Sequence, residues 1–178
     1  MSSAVEQPVE REGLALDAQT LCEAFQRTAE RHADRVALRT PGGEFEITWA
    51  QYAERVRRLA GGLAAEGIGR GDTVAMMLAN RPETVLVDSA TMHLGAIPFS
   101  IYNTSSPEQI EYLLGHARCS VAVTEAQFAQ SVIAVAERLP ALRQVFVVDG
   151  PLHPERACSP SSRAPERTAA TSRAPGVP

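Results

Sequence analysis

Apolar residues follow a helical spacing in several stretches of the chain. Tyr52, Val56, Leu59, Ala60 and Leu63 fall at i, i+4, i+7, i+8 and i+11, while Glu54 and several arginines take the other face. This pattern predicts an amphipathic helix lying on a core. Similar helices are predicted after Ser106 and after Thr124. The stretch after Asn80 is apolar nearly all round, which predicts a helix buried on more than one side.

Short apolar runs without alternation separate these helices. They are Val74 to Leu78, Ile97 to Ile101, Val121 to Val123 and Val145 to Val148. Strands that are apolar at every position are covered on both faces, so the runs predict a mostly parallel sheet flanked by helices. Residues 36–38 and 44–47 are separated by a Gly-rich turn at 40–43 and predict an N-terminal hairpin. The predicted fold class is therefore α/β.

Five helix starts are marked by capping residues. Four segments fit the S/T-x-x-E/Q capping box: Thr20 to Glu23, Thr48 to Gln51, Ser106 to Gln109 and Thr124 to Gln127. In this motif the hydroxyl accepts from a first-turn N–H, and the Glu or Gln reaches back to the cap residue. Asn80 to Glu83 is a variant with Pro82 in the first turn, where a missing N–H costs little. We therefore expect Asn80 and Thr124 to cap helices, like the other three. Pro140 is expected to end the last helix.

Composition divides the chain into three parts. Residues 1–19 are polar and aperiodic and are predicted to be a flexible tail, whereas residues 20–150 carry all the predicted elements. Residues 151–178 hold six of the twelve prolines and are rich in Ala, Arg and Ser. Because that segment has no apolar periodicity to offset its ordering entropy, we expect a disordered C-terminal tail.

Charge and cysteine content exclude several classes of function. The formal net charge is −4, which argues against nucleic acid as a partner. All 17 basic residues are arginine, so this chain alone cannot supply a lysine to any reaction. Three distant cysteines and four scattered histidines suggest neither a disulfide framework nor a metal site. The cysteine pattern is typical of a reducing compartment, and we expect a cytoplasmic protein with no transmembrane segment.

Three short segments and one histidine are candidate sites, and each favours a structural interpretation. Residues 67–72 are glycine-rich, but they close a helix and precede a strand, the reverse of a dinucleotide loop. The turn at 78–80 runs from strand to helix, yet it lacks glycine, and Pro82 removes a donor. Thr104 to Ser106 lacks glycine and lysine. His93 sits among apolar residues as a core histidine would. We therefore predict no catalytic, cofactor-binding or metal-binding residue in this chain.

The order of residues resembles a known family. Thr48-Trp-Ala-Gln-Tyr52, Gly62-Leu63, "GIGRGDTVAMMLANRPE" (67–83), "GAIPFSIYNTSSPEQIEYLLGHA" (95–117) and "LRQVFVVD" (142–149) are similar to the N-terminal part of the AMP-forming acyl-CoA synthetases. These enzymes belong to the adenylate-forming superfamily, and "YNTSSPEQIEYLL" looks most like the long-chain fatty-acid–CoA ligase branch. The resemblance covers about residues 20–150.

The resemblance implies an ATP-dependent ligase of fatty acid metabolism. The complete enzyme makes an acyl-adenylate from a fatty acid and then transfers the acyl group to CoA, with Mg²⁺ assisting. The family's lysine-bearing phosphate loop, magnesium-binding glutamate, ribose-binding aspartate and catalytic lysine lie downstream of the matched region. None can be assigned to a residue of this chain, so ATP, Mg²⁺ and CoA are implied only for the complete enzyme.

Three interpretations follow. In the first, the chain is a truncated or split long-chain fatty-acid–CoA ligase, inactive alone; in the split form, another chain supplies the active site. Alternatively, it is a non-catalytic module that binds a ligase or another partner. An independent small nucleotide-binding domain is the third interpretation, and the missing phosphate loop weakens it.

Overall fold

The computed structural model of the chain describes residues 15–149. A short 3₁₀ turn at Ala15–Asp17 precedes the first helix. The helices are α1 (Leu21–Arg31), α2 (Trp49–Ala65), α3 (Pro82–His93), α4 (Pro107–His116) and α5 (Ala126–Ala136). The strands are β1 (Val36–Arg39), β2 (Glu46–Thr48), β3 (Thr73–Met77), β4 (Ile97–Ser100), β5 (Val121–Thr124) and β6 (Gln144–Val147). Residues 1–14, within the predicted N-terminal tail, and the predicted C-terminal tail at 151–178 lie outside the described residues.

Four strands form a parallel sheet in the order β4-β3-β5-β6. The two central strands are covered on both faces, as their unbroken apolar sequences predict. Val74 to Met77 and all four residues of β5 are buried, whereas β4 and β6 at the edges are more exposed. The α/β architecture is thereby confirmed.

Helices cover the two faces of this sheet. Val74 and Met76 point to a core shared with α2 and α3, while Ala75 and Met77 point to a second core shared with α4 and α5. The chain moves from β3 to β4 in one direction and from β5 to β6 in the other. Right-handed crossovers then require α3 and α5 to lie on opposite faces, which is what the two cores show.

The predicted hairpin is also present. β1 and β2 pair antiparallel, with Val36 opposite Thr48 and Arg39 opposite Glu46. The turn closes through two backbone bonds: Thr40 N–H donates to the Phe45 carbonyl and Gly43 N–H donates to the Thr40 carbonyl, both at 3.0 Å. Ile47 from β2 is buried in the first core, so the hairpin is joined to the helical layer outside the sheet.

An aromatic cluster joins the three helices of this outer layer. Phe25 of α1 meets Trp49, Tyr52 and His93 edge-on, with ring centroids 4.9 to 5.8 Å apart. Such edge-to-face pairs add to the stabilisation from area burial. The Tyr52 hydroxyl lies 2.7 Å from Ser89 Oγ and donates or accepts there, so a buried polar bond fixes α2 against α3.

The helix starts confirm three predicted caps and correct two. Thr20, Thr48 and Ser106 cap α1, α2 and α4, and the last two form complete capping boxes. The prediction for Asn80 is wrong, because α3 begins one residue later with Arg81 at the N-cap and no side-chain cap bond. Thr124 is also wrong as a cap.

The reason at Thr124 is that the residue belongs to β5, where its buried hydroxyl donates to the Met77 carbonyl at 3.2 Å. Glu125 becomes the N-cap residue of α5 instead, again without a side-chain cap bond to its own helix. The other end of α5 also differs from the expectation. The helix ends at Ala136, before Pro140, and tighter turns follow in which Arg138 and Leu139 donate to carbonyls three residues back.

Candidate functional site at the carboxyl edge of the sheet

The carboxyl ends of β3 and β5 form the point where the strand order reverses. From β3 the chain proceeds to β4 on one side, and from β5 it proceeds to β6 on the other. Open α/β sheets bind their ligands in the crevice outside such neighbouring strand ends. Residues 78–83 after β3 and residues 125–127 after β5 border this crevice, and it is therefore the first place to look for a site.

Glu125 fills the crevice from within. The residue follows β5 directly and is 4% exposed. Its carboxylate accepts a hydrogen bond from the Ala79 N–H in the turn after β3, across 46 positions of sequence. It also accepts from the Gln127 side-chain amide at 2.8 Å. A buried carboxylate needs such partners because water no longer solvates it.

Arg81 links three carboxylates around the same crevice. Its Nε donates to Glu83 at 2.8 Å, and its Nη1 donates to Asp149 at 2.9 Å and lies 3.5 Å from Glu125. Asp149 follows β6 and also accepts from the Ala126 N–H at 2.8 Å. We call these four side chains, Arg81, Glu83, Glu125 and Asp149, the carboxyl-edge network. It joins the segments that follow β3, β5 and β6.

The network shifts the pKa values of three of its members, Arg81, Glu83 and Asp149. The Arg81 hydrogen bond holds the pKa of Glu83 below its usual range. The pKa of Asp149 is lowered first by the Ala126 N–H and then by Arg81. The Arg81 pKa is raised, chiefly by its bond to Glu83. All three groups are therefore charged at neutral pH, and the network is a set of ion pairs.

This arrangement leaves little for a phosphate to bind. The Ala79 N–H is taken by Glu125, Pro82 has no N–H, and the Thr84 N–H donates to the Arg81 carbonyl at 3.1 Å. The carboxylate of Glu125 thus lies where a doubly wound fold can bind the anionic group of a ligand. The scaffold interpretation of the turn at 78–80 stays a prediction, and the occupied Ala79 N–H is consistent with it.

The glycine-rich segment at 67–72 also has a structural role. Gly67 has a φ of 80°, the left-handed conformation that favours glycine. Its N–H donates to the Ala64 carbonyl and the Ile68 N–H donates to the Leu63 carbonyl, the two bonds of a Schellman motif that ends α2.

The hydroxyl segment at 104–106 and His93 have local partners too. Ser106 Oγ accepts from the Gln109 N–H at 3.3 Å and lies 2.7 Å from the Glu108 carboxylate, to which it donates. His93 Nδ1 lies 2.7 Å from the Ser89 carbonyl oxygen and donates to it. The structure brings neither of them to the carboxyl-edge network.

An open groove lies beside the start of α4. It has a volume of about 560 Å³ and is lined mainly by Tyr102, Thr104, Glu108, Tyr112 and Leu113. The tyrosines are strongly exposed, at 84% and 67%. No polar side chain that is deeply buried points into the groove, so its chemistry does not select a ligand.

Residues 15–149 contain neither a metal-binding cluster nor a membrane-spanning helix. No group of three or more His, Cys, Asp or Glu side chains there is arranged to hold a metal ion. None of the helices in that range combines the length and the apolar character needed to cross a bilayer. Cys22 and Cys119 are free thiols, and burial raises the pKa of both.

Comparison with known proteins places this scaffold in a family. The AMP-binding enzyme profile matches residues 25–176, most of the chain. The chain belongs to the AMP-binding enzyme family. An uncharacterized protein of Mycobacterium tuberculosis (strain ATCC 25618 / H37Rv) is 50% identical over 131 residues, which cover 74% of this chain and 73% of that protein. The family match, which ends at residue 176, extends past residue 149, the last residue that the structure describes.

Known ligases of the family are much longer than the matched region. The long-chain-fatty-acid–CoA ligase heimdall of Drosophila melanogaster is 31% identical over 140 residues, covering 75% of this chain and 21% of the ligase. A crystal structure from Rhodopseudomonas palustris CGA009, assigned as a candidate long-chain-fatty-acid CoA ligase, superposes with a TM-score of 0.69 at 28% identity. The chain covers 33% of that structure, so it corresponds to a portion of an AMP-binding ligase.

Sequence reasoning missed the carboxyl-edge network. The sequence pattern places Glu125 only inside a capping box and Asp149 only at the end of a segment that resembles the family. A signal was present, because each follows a buried strand, and the carboxyl ends of parallel strands meet at one edge. The sequence pattern does not identify Arg81 as the cation between these two carboxylates, because it does not specify the order of the strands.

Proposed function

We propose that this chain is the N-terminal scaffold of a long-chain fatty-acid–CoA ligase and forms no acyl-CoA alone. The remaining part of the ligase, in another polypeptide, would supply the active site and bind ATP, Mg²⁺, CoA and the fatty acid. Membership of the AMP-binding enzyme family and the likeness to long-chain ligases support the reaction class. A cytoplasmic location remains our expectation from the cysteine pattern.

The observation that carries the proposal is the occupied crevice. In this chain the switch point of the sheet is closed by Glu125, which takes the Ala79 N–H that an anion would need. Phosphoryl and adenylyl chemistry needs cationic stabilisation of the phosphates. The arginine at this edge, Arg81, already contacts three carboxylates. The chain therefore offers a rigid framework and little of the chemistry.

A complementation assay tests the proposal. The Rhodopseudomonas palustris ligase is divided so that the third matched by this chain is removed, and we call the rest the ligase remainder. The remainder is co-expressed with this chain, and palmitoyl-CoA formation is measured with palmitate, ATP, Mg²⁺ and CoA. The matched control supplies the ligase's own N-terminal third as a separate polypeptide. We expect no product from either component alone and measurable product when this chain and the remainder are combined.

Each result bears on a different interpretation. If the ligase's own third restores activity and this chain never does, the scaffold proposal is overturned, and a non-catalytic binding module becomes the better interpretation. Isothermal titration of this chain with ATP tests the third interpretation. Micromolar binding by the chain alone would contradict the closed crevice and favour an independent nucleotide-binding domain.

A further inference from the structure

The two edges of the parallel sheet differ, and the edge at β4 is blocked. Ile97 N–H donates to the Asp72 carbonyl and Ile101 N–H donates to the Met76 carbonyl, both at 2.8 Å. Because the backbone groups of a strand alternate between its two sides, the nitrogens of Pro98 and Ser100 lie on the outer side. Proline has no N–H, so this edge lacks a donor where another strand would pair.

Within residues 15–149, the edge at β6 has no such block. Val148 N–H donates to the Thr124 carbonyl at 3.0 Å, on the inner side. The same alternation places the backbone of Phe146 on the inner side and the backbones of Val145 and Val147 on the outer side. We call the outward N–H and C=O groups of Val145 and Val147 the open edge. The strand from Gln144 to Val147 contains neither a charged residue nor proline, the usual means of protecting an edge.

The side chains of β6 also lack full cover. All four residues of the strand are half-buried, in contrast to the fully buried residues of β5. Phe146 packs against the first core, and Val145 packs against the second. An additional strand beside β6 would extend both apolar faces, since its side chains would alternate between the same two layers.

The carboxyl-edge network holds β6 in place for such pairing. Asp149, two residues after the strand, accepts from the Ala126 N–H at 2.8 Å and from Arg81 at 2.9 Å. The end of β6 is thereby fixed to α5 and to the turn after β3. An edge that is already ordered loses little conformational freedom when a partner strand docks.

We propose that the open edge of β6 pairs with a β-strand of the ligase remainder. This inference rests on the proposed function and names the surface through which the two polypeptides join. Outward donors and acceptors spaced by about 6.6 Å along a strand are matched by another extended backbone. This chain covers 33% of the superposed ligase structure. The family therefore includes longer chains, whose remaining part can provide the strand.

The substitution Val147→Pro tests the open edge. It removes an outward donor and copies the placement of Pro98 in β4, so the inner hydrogen bonds remain. Val147→Ala is the matched control, because it shortens the side chain and keeps the N–H. Binding of the full chain to the ligase remainder is measured by titration calorimetry. Hydrogen exchange follows the amides of Val145 and Val147. Circular dichroism checks that each variant is folded.

The expected result is slower exchange at both amides when the remainder is added. We expect Val147→Pro to weaken the complex about tenfold or more relative to Val147→Ala, since it removes a ladder bond and introduces a ring clash. If the complex forms and makes palmitoyl-CoA while Val147→Pro binds as tightly as Val147→Ala, the edge inference is overturned and the scaffold proposal stands. If no complex and no activity form, the scaffold proposal itself fails. If the chain dimerises alone and Val147→Pro abolishes the dimer, the edge serves a second copy and the inference is wrong.

Discussion

Two pairs of helices in this chain start in contrasting ways. α2 and α4 begin with complete capping boxes, in which Thr48 pairs with Gln51 and Ser106 pairs with Gln109. α3 and α5 have no such local bond. The turn before α3 is held by Glu125, 46 residues away, and the first N–H of α5 is held by Asp149, 23 residues away.

The difference teaches where stability at a helix start comes from. A capping box satisfies orphan N–H groups as soon as the first turn forms. The starts of α3 and α5 are completed only when the sheet brings the ends of β3, β5 and β6 together. Local sequence therefore determines the first pair, and tertiary structure determines the second.

Loss of Glu125 is expected to have the largest effect. Glu125→Ala leaves the Ala79 N–H without its acceptor and removes a carboxylate from the side of Arg81. Because the site is buried, we expect a loss of about 3 kcal/mol in the free energy of unfolding. Denaturant unfolding followed by circular dichroism measures it.

Glu125→Gln is the matched control for that variant. Its amide oxygen can still accept from Ala79, so it should lose clearly less stability than Glu125→Ala. Equal losses would show that the charge, and not the bond to Ala79, sets the contribution. A loss below about 1 kcal/mol for Glu125→Ala would contradict the role assigned to the network, because ordinary surface changes fall within about 0.5 kcal/mol.

Removal of a local cap should have an intermediate effect. Thr48→Ala deletes the hydroxyl that accepts from the Gln51 N–H at 3.3 Å and should cost about 1 kcal/mol. Gln51→Ala removes only the reciprocal bond to the Thr48 N–H and should cost less. Thermal and denaturant unfolding of both variants provide the test. A larger loss for Gln51→Ala would mean that its side chain contributes through other contacts.

The same contrast explains how much of the fold could be predicted. Helical periodicity and unbroken apolar runs predict five helices and four parallel strands, because both patterns are formed by residues close in sequence. Capping was predicted correctly at Thr48 and Ser106 for the same reason. It was wrong at Thr124, since that hydroxyl bonds to Met77 on a neighbouring strand. No local pattern reports which strand lies next to which.

The candidate site was less predictable than the fold. The turn at 78–80 lacks the glycines of a phosphate loop, and its interpretation as a scaffold stays a prediction. The position of Glu125 after a buried strand places it at this edge, but it does not specify the bond to the Ala79 N–H, because that contact depends on β5 lying beside β3. The arginine-centred network therefore became visible only in three dimensions.

Acid should weaken the non-local pair of helix starts. The pKa values of Glu83 and Asp149 are below the ordinary values of these side chains, which are about 4. Their contribution to stability is therefore fully present above that pH and is lost as the pH falls through the lowered values. The effect is smaller than loss of a cap, because both groups are partly exposed and screened by solvent.

The double variant Glu83→Gln/Asp149→Asn tests this pH dependence. The free energy of unfolding is measured between pH 7 and pH 3 for both proteins. We expect the variant to lose less stability over the acid range than the parent chain. Parallel curves would show that other carboxyl groups control the acid response.

Asn80→Ala should have the smallest effect, and it tests the corrected helix start directly. Asn80 is exposed, and α3 begins after it with Arg81 at the N-cap. We therefore expect a change within about 0.5 kcal/mol in the free energy of unfolding, as at other exposed positions. Ser106→Ala is the matched comparison, because Ser106 does cap its helix and should cost about 1 kcal/mol. If the two variants lost equal stability, Asn80 would be capping α3 after all. The start of that helix would then be local, like those of α2 and α4.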